Sequence, residues 1–90
     1  MSAPSVGFMD TIRRFVLEDL AAGTEFTTVG DSDSLVANGL IDSLGIFKLV
    51  AFLEEAFGIR IADDEILQEN FRSIEAIATF VMKKRESAGR

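Results

Sequence analysis

The sequence predicts an all-α fold: a small antiparallel four-helix bundle, built of three main helices and one short one, with a long first loop. Three observations carry that prediction. Apolar residues recur with the helical period in three separate stretches, and each of these stretches has a start or stop signal beside it. One stretch of about 20 residues without any helical period, 21–41, separates the first from the second. The 90 residues include 8 Leu, 8 Ile, 6 Val and 8 Phe, enough to bury a core in one domain spanning 1–90.

The first helix is marked by Phe8, Ile12, Phe15, Val16 and Leu20, which fall on one stripe, with Gly23 placed to stop it. The long loop is rich in Gly, Ser, Thr and Asp, but Phe26, Val29, Leu35, Val36, Leu40 and Ile41 are spaced through it. A loop so studded packs over the helices rather than standing free. The second helix is signalled by Asp42 or Ser43 as N-cap, by Ile46, Leu49, Val50, Leu53 and Phe57 on one stripe, and by Gly58 as terminator. Ile59 and Ile61 then alternate as an extended anchor, and Asp63 is placed to cap a short helix around Ile66 and Leu67. Behind Ser73 as N-cap, Ile74, Ile77, Ala78 and Val81 mark the last helix, and Lys83, Lys84 and Arg85 suit the negative end of its dipole.

Composition excludes several classes of activity. The chain contains no Cys, His, Trp or Tyr, so disulfides, zinc fingers, a Cys nucleophile and an imidazole base are all out of reach. Its net charge of −6 argues against nucleic acid, whose phosphates select basic surfaces. The charge is also local: residues 18–69 hold 12 acidic side chains against Lys48 and Arg60, a net of −10. A basic partner would be steered there. The longest apolar run, residues 49–53, is far short of the ~20 residues a bilayer crossing needs, so no membrane span is expected. Residues 1–11 lack the basic and apolar regions of a secretory signal, which leaves the cytoplasm as the expected location.

Few groupings are suited to chemistry. Asp31-Ser32-Asp33 opens like a calcium loop, but Leu35 and Val36 stand where a ligand and a Gly belong, so these acids read as loop caps. Glu54 and Glu55 are adjacent on a helix and diverge by about 100°, which rules out a shared proton. No resident metal site and no catalytic residue are expected.

Gly39-Leu40-Ile41-Asp42-Ser43-Leu44-Gly45 remains, where the long loop runs into a Ser at the start of an amphipathic helix. By itself Ser43 reads as an ordinary N-cap. Here, however, the chain resembles the acyl carrier protein and peptidyl carrier protein superfamily, whose Asp-Ser-Leu motif holds the Ser that receives 4'-phosphopantetheine. The resemblance extends over nearly the whole chain, through Glu54-Glu55-Ala56-Phe57-Gly58, the Ile59, Ile61 and Glu65 stretch, and the final helix. It implies a phosphoprotein carrying 4'-phosphopantetheine covalently on Ser43, with cargo held as a thioester on the arm. It further implies a phosphopantetheinyl transferase that brings Mg²⁺ to a transient complex, a loading acyl- or aminoacyl-activating enzyme, and a downstream transferase or synthase. The carrier itself is expected to be a free-standing monomer and no enzyme. Local physics agrees, since the first turn of a helix favours an adjacent anion such as a phosphodiester, and Asp42 can cap in place of Ser43.

The resemblance also assigns partner recognition to the second helix. Leu49, Val50, Leu53, Ile46 and Phe57 fall on one core stripe at 100° per residue, whereas Leu44, Phe47 and Ala51 fall on another side. With Asp42 before them and Glu54 and Glu55 beside them, these form the expected docking surface; the other reading of Phe47 is a wide buried stripe. Gly45, Ile46, Phe47 and Lys48 stand where fatty acid synthesis carriers commonly have acids. The motif looks closer to free-standing specialised carriers of acyl groups or, alternatively, of amino acids such as D-alanine. A different class stays open too: a helical adaptor that binds partners without the arm.

Overall fold

The computed structural model describes residues 6–21, 28–35 and 39–88, with the backbone alone at 6, 43, 87 and 88. Helix α1 spans Val6–Phe15 and continues as a π-helical turn, Val16–Leu20; α2 spans Ser43–Phe57 and α3 spans Ile74–Ala88. Among the described residues there is no strand, so the fold is all-helical. Two 3₁₀ turns, Asp63–Glu65 and Gln68–Asn70, stand where the sequence predicts a short helix. Ile66 and Leu67 lie in the break between them. The reason is local: the Ile66 N–H donates to the Asp63 carbonyl at 3.2 Å and the Leu67 N–H to the Glu65 carbonyl at 2.9 Å, bonds too short in span to propagate an α-helix. Glu65, rather than Asp63, supplies the capping carboxylate, accepting the Ala62 N–H at 2.9 Å.

The predicted stripes form the core. Ile12 of α1, Val16 of the π-helical turn, Leu49 and Leu53 of α2, and Ile74, Ile77, Ala78 and Val81 of α3 are fully buried, as is Phe71 just before α3. Each large side chain so placed contributes about 1.5–3 kcal/mol relative to exposure. Phe8, Phe15, Leu20, Ile46 and Phe57 are half-buried at the margins of the same cluster. α1 lies chiefly against α3. It meets α2 through two aromatic pairs, Phe15 with Phe52 (stacked, centroids 4.2 Å apart) and Phe8 with Phe57 (edge to face, 4.9 Å).

Helix α1 does not stop cleanly. Its last turn widens, and the Ala21 N–H donates to the Val16 carbonyl at 2.7 Å, a bond spanning five residues. Gly23, expected as the stop, lies outside the described residues, as do Phe26 and Val36. α2 ends as predicted at Gly58, whose φ of 64° is the left-handed conformation that a side chain disfavours. Ser73 opens α3, its Oγ accepting the Ala76 N–H at 3.0 Å.

The described part of the long loop is tied down. Val29, Leu35, Leu40 and Ile41 are buried. The Leu35 N–H donates to the Arg72 carbonyl at 2.8 Å and the Glu75 N–H to the Asp31 carbonyl at 2.9 Å, so the loop holds the entry to α3. Arg13 pairs with Asp31 and donates from Nε to the Val29 carbonyl at 3.2 Å, which fastens the loop to α1. Asp33 accepts the Gly30 N–H at 2.8 Å. Both acids of Asp31-Ser32-Asp33 thus have loop-fastening work.

Candidate functional site

The start of α2 is held from three sides. Before it, the Leu35 carbonyl accepts both the Leu40 N–H (2.9 Å) and the Ile41 N–H (3.2 Å), while the two side chains insert into the core. Gly39, at φ 78°, makes the turn that allows this approach. At the boundary, Asp42 adopts an extended conformation and its Oδ1 accepts the Gly45 N–H at 2.7 Å; its carbonyl accepts the Ile46 N–H at 2.9 Å. Of the two N-cap readings, the structure selects Asp42. Ser43 is then the first residue of the helix. After it, Gly45 is buried: a Cβ there would lie 3.2 Å from Asp42 Oδ1 and 3.6 Å from Leu20 Cδ2. Leu20, in the π-helical turn, therefore supports the first turn of α2, a contact between distant parts of the chain that no local pattern signals.

The six residues expected around Ser43 divide. Leu44 and Phe47 are 63% and 62% exposed, and Ala51, Glu55 and Asp42 are also at the surface. Burial of Phe47 in a wide core stripe is excluded. Glu54 is half-buried, and its Oε2 accepts the Ile61 N–H at 2.9 Å. That bond folds the segment after Gly58 back onto α2, so Glu54 has structural work whatever else it does.

The other serine that opens a helix makes an instructive comparison. Ser73 is buried and its hydroxyl is taken up in capping, whereas at α2 the capping is done by Asp42.

A family model described as "Phosphopantetheine attachment site" matches residues 10–81. The chain belongs to that family. Members bind 4'-phosphopantetheine covalently on a Ser and are in general carriers without catalysis of their own. A search of curated proteins found no match. The phosphopantetheine-attachment domain matched here takes in the π-helical turn, the loop, all of α2 and most of α3. Its start-of-α2 geometry suits the group: a Ser follows its own N-cap, and the N–H groups of a helix's first turn favour a phosphodiester's negative charge. Among the described residues no helix is long and apolar enough to cross a membrane.

Proposed function

We propose that this chain is a carrier protein modified at Ser43, which holds cargo for partner enzymes and has no catalytic activity of its own. The observation that carries the reading is the start of α2, where Asp42 caps the helix and Ser43 follows as its first residue. When bound, the arm supplies a thiol that holds cargo as a thioester. The chain's own residues position that attachment point: Leu40 and Ile41 anchor the approach, Asp42 fixes the first turn, and Leu49 and Leu53 hold the helix against the core. The absence of Cys and His fits a protein whose reactive group is added after synthesis.

The docking surface proposed for the transferase, the loading enzyme and the downstream transferase or synthase is the exposed side of α2. Leu44, Phe47 and Ala51 provide its apolar part, Asp42 and Glu55 its charge, and Glu54 contributes from its half-buried place at the edge. The cargo proposed is an acyl group, with an amino acid as the alternative, carried by a cytoplasmic monomer whose residues 1–90 form one domain. In that domain the two 3₁₀ turns take the place of the short fourth helix of the bundle.

Incubation with coenzyme A and a phosphopantetheinyl transferase is expected to raise the intact mass by one phosphopantetheinyl unit, and Ser43→Ala to abolish the gain. A wild-type chain left unmodified by several transferases would sink the proposal. Ser43→Ala that leaves cellular function intact would point instead to an adaptor that works without the arm.

A further inference from the structure

The π-helical turn puts Leu20 where a regular helix would not. In an α-helix Leu20 would follow Val16 on the buried stripe, four residues on. The turn admits one residue more: the Ala21 N–H donates to the Val16 carbonyl at 2.7 Å, and Ala21, buried, takes the place that Leu20 would have held. Leu20 is turned aside, half-buried, with its Cδ2 3.6 Å from the point where a Cβ on Gly45 would stand. Gly45 is the residue whose N–H Asp42 caps, two positions after Ser43. Because Gly carries no side chain, Leu20 comes close to the backbone of the first turn of α2 itself. The other groups nearest that point are Asp42 Oδ1 at 3.2 Å and the Leu40 carbonyl at 3.9 Å. The turn that contains Ser43 is thus held by the Asp42 cap and by Leu20 together, and π-helical turns recur at functional sites.

We infer, resting on the carrier reading proposed above, that Leu20 is a positioning residue for the modification of Ser43. In that transfer the Ser43 hydroxyl oxygen bonds to the phosphorus that bears the pantetheine arm, and the phosphoanhydride bond of coenzyme A breaks. Adenosine 3',5'-bisphosphate leaves, and the hydroxyl proton passes to a base of the transferase or to water. Leu20 takes no part in that exchange of bonds. It acts through Gly45, by keeping the first turn of α2 where Ser43 can meet the phosphorus, and misplacing a reacting group by about 1 Å can cost about 10²-fold in rate.

The full chain and its variants are incubated with coenzyme A and a phosphopantetheinyl transferase, and kcat and KM for the chain are measured separately by intact mass. Leu20→Ala is expected to lower kcat about tenfold with little change in KM, and Leu20→Met, which fills nearly the same space, to restore it. A chain that is merely less stable would behave otherwise: an unfolded fraction removes usable carrier and raises the apparent KM, leaving kcat at saturation unchanged. Leu17→Ala is the control. It removes the same side chain from the same π-helical turn, half-buried against the core but not among the groups nearest Gly45, and should lower Tm without lowering kcat. Amide exchange at Gly45 and Ile46, whose N–H groups donate to Asp42, needs no transferase and should be faster in Leu20→Ala than in Leu17→Ala. If Leu20→Ala does not fold, Leu20→Val, which lacks the Cδ2 methyl, must still lower kcat. An unchanged kcat in the Leu20 variants, an equal fall in Leu17→Ala, or exchange equal in the two Ala variants would each overturn the inference. If the wild-type chain takes up no arm, the carrier reading fails instead. The hold of Leu20 on the turn is then decided by exchange at 45 and 46, faster exchange in Leu20→Ala upholding it and equal exchange ending it.

Discussion

Asp42 Oδ1 accepts the Gly45 N–H at 2.7 Å, so the carboxylate that precedes Ser43 fixes the first turn of the helix that Ser43 begins. Removing it should loosen that turn. Asp42→Ala is expected to cost about 1 kcal/mol, equivalent to a fall in Tm of about 4–8 °C in a domain of this size, and to slow modification by the transferase. Asp42→Asn, which can still accept the bond, should recover most of the stability. Thermal unfolding followed by circular dichroism checks the first part and a timed mass assay the second.

Gly45 offers a sharper test of the same turn. Ala is favoured over Gly inside a helix by about 1 kcal/mol, and on propensity alone Gly45→Ala should stabilise. The added Cβ would stand 3.2 Å from Asp42 Oδ1 and 3.6 Å from Leu20 Cδ2. The expected outcome is no gain in Tm and a weakened cap, seen as faster amide exchange at residue 45. A rise in Tm of several degrees would show that the turn yields without cost.

Leu49 and Phe47 stand two residues apart in α2 with opposite surroundings, fully buried and 62% exposed respectively. Leu49→Ala should cost about 2–5 kcal/mol, a large part of the stability of a small domain. Phe47→Ala should change stability by less than about 0.5 kcal/mol and act on partner binding alone. Urea unfolding of the two variants, beside a binding assay with the transferase, separates the effects.

The Lys84 ammonium, at 2.8 and 3.1 Å from the two carboxylate oxygens of Glu65, joins the first 3₁₀ turn to α3. That hydrogen bond above all, with the Ala62 N–H second, holds the Glu65 carboxyl below the usual Glu value of 4.5. Because the folded-state value is depressed, the contribution to stability is complete above about 4.5 and fades as the pH falls through the lower folded-state value. The Tm of wild type should therefore exceed that of Glu65→Gln at pH 7, and the gap should close as the pH falls toward 3. A gap that stays constant over that range would show that the ion pair is not its source.

Much of this was legible in the sequence because it is local. The stripe from Ile46 to Phe57 follows from the helical period, Gly58 from its freedom at positive φ, and Ser73 from the capping chemistry of a hydroxyl before an apolar run. The family resemblance, too, rests on a contiguous motif around Ser43, and the matched residues 10–81 bear it out.

What the sequence determined by itself was the three main helices, which stripe of each is apolar, and, through the motif around Ser43, the family to which the chain belongs. Only the tertiary structure decided between Asp42 and Ser43 as the cap, exposed Phe47, turned Glu54 to the Ile61 N–H, and broke the expected short helix into two 3₁₀ turns. The physical reason is that these outcomes depend on partners distant in the chain. Leu20 limits the room beside Gly45, the carbonyls of Leu35 and Arg72 take up loop N–H groups, and Lys84 reaches Glu65 from the far helix. A backbone group buried without a partner costs free energy comparable to a lost hydrogen bond, and which group satisfies which is settled only when the helices come together.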